Sequence, residues 1–140
     1  MQLFSHDDKA DALGRAPLFQ HLSRGELVEL ARLTEDLEVG EGKVLAREGD
    51  IGSEFFVIVD GEVEVTKEGR DLRRLGAGEF FGEIALIWDS PRRTATVTAA
   101  TPVRFFVLTR QAFRSLIDHH PDIQRSVLEA LEERVQSTEG

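Results

Sequence analysis

"VLAREGDIGSEFFVIVDGEVEV", residues 44–65, is the stretch that sets the architecture. Phe56, Ile58, Val63 and Val65 alternate with more polar neighbours, the two-residue period of a strand buried on one face. Asp60-Gly61 falls between the two runs and reads as a hairpin turn, since glycine accepts the positive φ that a tight two-residue loop requires. Working outward, glycines recur at positions 40, 42, 49, 52, 61, 69, 76, 78 and 82, between short segments rich in Val, Ile, Phe and Thr. Many short strands with regular turns from Glu35 to Leu108 predict an antiparallel β roll of the jelly-roll, double-stranded β-helix kind.

Helical periods flank the roll, so the class is mainly β with flanking α. Residues 6–33 read as helical: Ser23 and Glu26 have capping-box spacing, and Leu27, Leu30, Ala31 and Leu33 follow as an apolar stripe. Pro17-Leu18-Phe19 predicts a tight turn plugging an apolar end. Past Leu108, Thr109 caps a helix through Phe113, Leu116 and Ile117 that Pro121 ends. Asp122 then caps a last helix with Ile123, Val127, Leu128, Ala130, Leu131 and Val135 on its apolar face. The divisions are a helical lead-in (1–34), the roll (35–108) and C-terminal helices (109–140), all one domain. A chain of 140 residues has room for one core, burying roughly 65 to 70% of its unfolded surface.

Composition excludes several functions. With 26 acidic against 17 basic residues and a formal charge of -9, the overall field repels nucleic acid and anionic lipid. Any bound anion must therefore be held by a local site. The absence of cysteine removes disulfides and thiol chemistry and fits a reducing compartment. No signal-peptide pattern and no apolar run of about 20 residues is present, which predicts a cytoplasmic domain without membrane insertion. His6, His21, His119 and His120 fall outside the roll, where a metal-dependent enzyme of this shape would need them, and Ser90 has no histidine near it in sequence. A non-enzyme without metal or cofactor is the expectation.

The chemistry lies in "FGEIALIWDSPRRTATV", residues 81–97. Gly82 permits a backbone conformation closed to other residues, and Ile84–Ile87 can wind one turn whose free amides point outward, a favourable place for an anion. Ala85 leaves the approach open. An arginine from the next strand, Arg92 or Arg93, would clamp a phosphate with paired charge-assisted hydrogen bonds. Glu83 repels an anion but suits sugar hydroxyls, so a ligand with one phosphate and a nearby ribose satisfies both.

"FGEIAL" and "PRRTATV" together resemble the phosphate-binding cassette of the cyclic nucleotide-binding domain family, shared by catabolite activator-type regulators, kinase regulatory subunits and gated channels. "VLAREGDIGSEFFVIVDGEVEV" is similar to the preceding strands of that family and "APLFQHLSRGEL" to its helical lead-in, so the resemblance spans roughly residues 16 to 135. It implies backbone amides from Gly82, Ile84 and Ala85, a ribose 2'-hydroxyl on Glu83, and a cyclic phosphate on one arginine. Many members carry Pro-Arg directly before the small residues; here Pro91-Arg92-Arg93-Thr94 has one residue more. Arg93, which immediately precedes Thr94-Ala95-Thr96-Val97, is assigned the phosphate, with Arg92 the rival. The family further implies ligand contacts at Thr94 and Ala95 and base contacts at Val65 and Leu72, which read first as core residues. The implied function is a sensor for cyclic AMP, ahead of cyclic GMP, whose last helix moves on binding. Such a sensor would act on a fused or associated effector or as a homodimer. The alternative is a roll kept as an interaction scaffold that no longer binds nucleotide.

Overall fold

Among the residues the computed structural model describes, 6–52, 54–82 and 92–139, eight strands form two four-stranded antiparallel sheets. One sheet is ordered β1 (Glu35–Val39), β8 (Val103–Thr109), β3 (Glu54–Asp60) and β6 (Phe80–Phe81). The other is ordered β2 (Val44–Ala46), β7 (Thr96–Ala99), β4 (Val63–Lys67) and β5 (Arg70–Leu75). The chain changes sheet at every step but one, which is what winds it into a roll.

Asp60-Gly61 therefore corrects the hairpin expectation: β3 pairs with β6 and β8, β4 with β5 and β7, and the dipeptide carries the chain between sheets. Gly61 has φ +92°, and a Cβ there would run into the carbonyl oxygen of Pro102. The hairpin lies at Glu68-Gly69, closed by the Lys67–Arg70 pair, with φ of +52° and +79° as a primed turn demands.

The alternation read in β3 is also corrected. Phe55, Phe56, Val57 and Ile58 are all buried, because helices cover the face that a two-sheet roll alone would leave to water. Phe56, Ile58 and Phe105 face the roll interior with Val63, Val65 and Val97. Phe55, Val57, Phe106 and Leu108 face the helices, where the Phe55 and Phe113 rings lie 4.3 Å apart.

Those helices are α1 (His6–Gly14), a single tight turn at Pro17–Phe19, α2 (Arg24–Leu33), α3 (Arg110–His119) and α4 (Pro121–Glu139). Ser23 Oγ accepts from the Glu26 amide at 3.2 Å, and the Glu26 carboxylate accepts from the Ser23 amide at 2.9 Å, completing the capping box. Thr109 Oγ1 accepts from the Ala112 amide at 3.2 Å, and Leu18 and Phe19 are buried under the helices. Two expectations change. Leu33 is 54% exposed, so the α2 stripe narrows to Leu30 and Ala31 with Leu27 half-buried. Pro121 opens α4 rather than only ending α3, since its fixed φ suits a first turn; the ladder starts with the Gln124 amide on the His120 carbonyl at 3.1 Å, and Asp122 sits inside the first turn. On α4, Ile123 and Val127 are buried and Leu128 is exposed, while the side chains of Ala130, Leu131 and Val135 lie outside the described ones.

Gly61→Ala should lower stability by roughly 1 to 3 kcal/mol in denaturant unfolding, because both its φ and its lack of a side chain are needed. The hydrogen bonds from Ser23, backbone first, hold the Glu26 carboxyl below its ordinary 4.5, with His120 a smaller contributor. A depressed carboxyl stabilises the fold above its unfolded pKa and loses that effect as pH falls through the lowered value. Melting temperature below pH 4.5 should accordingly decline less steeply in Glu26→Gln than in the unaltered chain.

Candidate functional site

A short ribbon places the two arginines. Ile51 bridges to Arg92, the Arg93 amide donates to the Asp50 carbonyl at 2.7 Å, and the Gly49 amide donates to the Arg93 carbonyl at 2.8 Å. Successive side chains of an extended segment point to opposite sides. Arg92 is accordingly exposed, with Nη1 donating to the Gly49 carbonyl at 2.7 Å, whereas Arg93 is turned inward and only 8% exposed.

Inside, Arg93 Nη2 donates to the Glu54 carbonyl at 3.1 Å and Nη1 to the Gly82 carbonyl at 3.4 Å. Its Cζ lies 6.0 Å from the Phe56 ring centroid, at the outer reach of a cation–π contact. Gly82, just after β6, has φ +99°, and a Cβ would stand 2.5 Å from the Glu54 carbonyl oxygen and 3.0 Å from Arg93 Nη1. Glycine is needed there for conformation and for room. A guanidinium oriented by backbone carbonyls loses little further side-chain freedom on meeting an anion. Beside it opens a cavity of about 210 Å³ walled by Val44–Arg47, Asp50–Gly52, Glu54 and Arg93.

The remaining predicted residues divide. Val65 is buried and Leu72 and Ala95 are half-buried against the roll core, and Thr94 is exposed at the bend after Arg93; none of the four walls the Arg93 cavity. Glu83, Ile84 and Ala85 lie outside the described residues, as do Ser90, Pro91 and the single tryptophan, Trp88. His21 and His119 are exposed, and His120 Nδ1 stands 3.2 Å from the Glu26 carboxylate.

Two neighbours escaped the pattern reading. Gly52 lies directly against the Arg93 guanidinium, a relation that glycine spacing alone does not reveal. Arg73 is the cross-strand partner of Val65, and Leu72 is the extra residue of a bulge between Val65 and Thr66. Cross-strand partners share a face, so Arg73 stands on the side of β5 that Val65 occupies on β4. The sequence carries no signal for this placement, because it depends on the bulge at Leu72.

Residues 36–120 match the family model of the cyclic nucleotide-binding domain, more than half of the chain. The chain belongs to that family. It is 40% identical over 118 residues to a cyclic nucleotide-gated potassium channel of Rhizobium etli, covering 84% of this chain and 33% of the channel. It is 28% identical over 131 residues to a cGMP-dependent protein kinase of Plasmodium berghei, covering 94% of this chain and 15% of the kinase. The chain thus spans a third or less of these relatives. In fold it is similar to cAMP-bound PfPKA-R, with a TM-score of 0.87 and 23% identity over 94% of this chain and 45% of that one. The β roll with flanking helices and the membership of the cyclic nucleotide-binding domain family both agree with the sequence reading.

Because Arg92 only caps an exposed carbonyl, Arg92→Ala should change unfolding free energy by no more than about 1 kcal/mol in denaturant titration.

Proposed function

We propose that the domain is a sensor for a cyclic purine nucleotide monophosphate, cyclic AMP ahead of cyclic GMP. The observation that carries it is the inward Arg93 guanidinium at the carbonyls of Gly82 and Glu54. In this reading Arg93 pairs with the cyclic phosphate and the amides of Gly82, Ile84 and Ala85 complete the anion site. Glu83 accepts from the ribose 2'-hydroxyl, and Thr94 and Ala95 line the phosphate side. Val65 and Leu72 flank the base; being apolar they accept adenine without asking for a partner.

A second reading, cyclic GMP, is favoured by the placement of Arg73 on the face of Val65. A guanidinium there matches the O6 and N7 acceptors of guanine and finds no such pair on adenine. Thr94, exposed at the bend after Arg93, is the other group able to serve guanine.

Binding would draw α4 inward and pass the signal to a fused or associated effector, or across a homodimer. α4 packs on the Pro17–Phe19 turn and on α3, and the longer relatives have room for an effector. For the helix to move, the ligand must bind one α4 position better than the other.

Titrating Trp88 fluorescence, with calorimetry alongside, against cyclic AMP and cyclic GMP tests the reading; flat responses to both at millimolar ligand would leave the interaction scaffold in its place. Arg93→Ala should weaken binding by roughly 2 to 5 kcal/mol, about 30-fold to several thousand-fold. If Arg92→Ala were the crippling change instead, the phosphate belongs one residue earlier. Arg73→Ala should leave cyclic AMP affinity within about threefold and lower cyclic GMP affinity by tenfold or more, if guanine is read there.

A further inference from the structure

We infer that Gly52 is the positioning residue for Arg93: its bare Cα leaves the space in which the guanidinium lies, and so aims that group at the Gly82 bend. The inference deepens the cyclic nucleotide reading and rests on it.

A Cβ at Gly52 would overlap Nε, Cζ and Nη2 of Arg93, and these are the three nearest atoms it would meet. The backbone gives no other reason for glycine, because Gly52, unlike Gly49, Gly61 and Gly82, does not take a φ in the left-handed region. Gly40, Gly42, Gly49 and Gly69 have open space where a side chain would go. Gly52 is thus required by a neighbouring side chain and not by its own conformation.

What a Cβ would displace is also distinctive. At Gly61 and Gly82 the obstacle is backbone, a carbonyl oxygen that cannot yield without moving a strand. At Gly52 it is the far end of a flexible side chain. The consequence of Gly52→Ala therefore falls on the direction of the guanidinium and not on the fold. Nη2 at 3.1 Å from the Glu54 carbonyl and Nη1 at 3.4 Å from the Gly82 carbonyl would both leave those partners. Paired charge-assisted contacts to a phosphate depend on that direction, so affinity is lost while charge and composition stay the same.

A double-mutant cycle on the whole chain decides this, with dissociation constants for cyclic AMP and cyclic GMP and a thermal melt for each protein. Gly52→Ala should melt within about 3 °C of the unaltered chain and bind at least about tenfold more weakly. Added to Arg93→Ala, it should change affinity by less than about twofold, since the group it acts through is gone. Unchanged binding in Gly52→Ala, or a loss that multiplies that of Arg93→Ala, would overturn the inference while leaving the sensor reading intact. If Gly52→Ala alone does not fold, the pair decides: recovery of folding on removing the guanidinium supports the inference, and an unfolded pair overturns it. Failure of the unaltered chain to bind either nucleotide would sink the sensor reading and this inference with it.

Discussion

Phe55 and Phe56 are neighbours in β3, yet they belong to different cores. Phe55 lies in the helix-facing cluster with Phe113 and Phe106, and Phe56 lies in the roll with Phe81 and Phe105. β8 repeats the division one strand over, with Phe106 and Leu108 toward the helices and Phe105 and Val107 toward the roll. Two adjacent strands buried on both faces make one wall common to the helical layer and the roll interior. The same wall supplies the Glu54 carbonyl that orients Arg93 and the Phe56 ring beneath its Cζ. Arg93 and the helices thus lie against opposite faces of one pair of strands.

An acidic chain holding an anion is a question of range. Charges scattered over the surface are screened beyond about 8 to 10 Å at physiological salt, whereas opposite charges about 4 Å apart in a partly buried site attract by about 4 kcal/mol. In the proposed reading, one well-aimed guanidinium outweighs the diffuse surplus of carboxylates at the bend. Aim is supplied by carbonyl dipoles at Glu54 and Gly82, which orient the group while leaving it its full charge. The excess acid instead serves elsewhere, as where Asp36 grips Arg104 across β1 and β8 through two 3.1 Å hydrogen bonds and holds it protonated.

Local chemistry was the legible part of the fold. Ser23 with Glu26 and Thr109 with Ala112 are fixed by residues three apart, and both caps form as their spacing predicts. Asp60-Gly61 misled because a hairpin and a crossover ask the same φ of glycine, and only the partner strands distinguish them. The full burial of Phe55–Ile58 was hidden for a related reason: which face helices will cover is settled by residues far along the chain, such as Leu13 and Phe113. At the site, which arginine turns inward is given only by the family resemblance; the need for glycine at position 82 and the divergence of the two arginines follow from sequence position, since neighbours on a strand must diverge. Gly52 and Arg73 do not, because one depends on a side chain 41 residues on and the other on a bulge that shifts register by one.

The frame around Arg93 is held largely by backbone hydrogen bonds, whereas the described apolar anchors of the helix proposed to respond to it lie near its start. Glu48 donates its amide to Thr96 Oγ1 at 3.0 Å and accepts the Glu68 amide on its carboxylate at 3.0 Å, tying β7 and the β4–β5 turn to the segment that carries Gly49. Gly49 and Asp50 in turn bracket the Arg93 backbone, so that segment is bonded from several directions. α4 by contrast buries Ile123 and Val127 near its start, and by Leu128 its apolar side chain already meets water. Elements with few buried contacts open and shift at the least free energy. In the proposed reading, a ligand that adds a few kcal/mol at Arg93 moves the helix seated through Ile123 and Val127 before it deforms that frame.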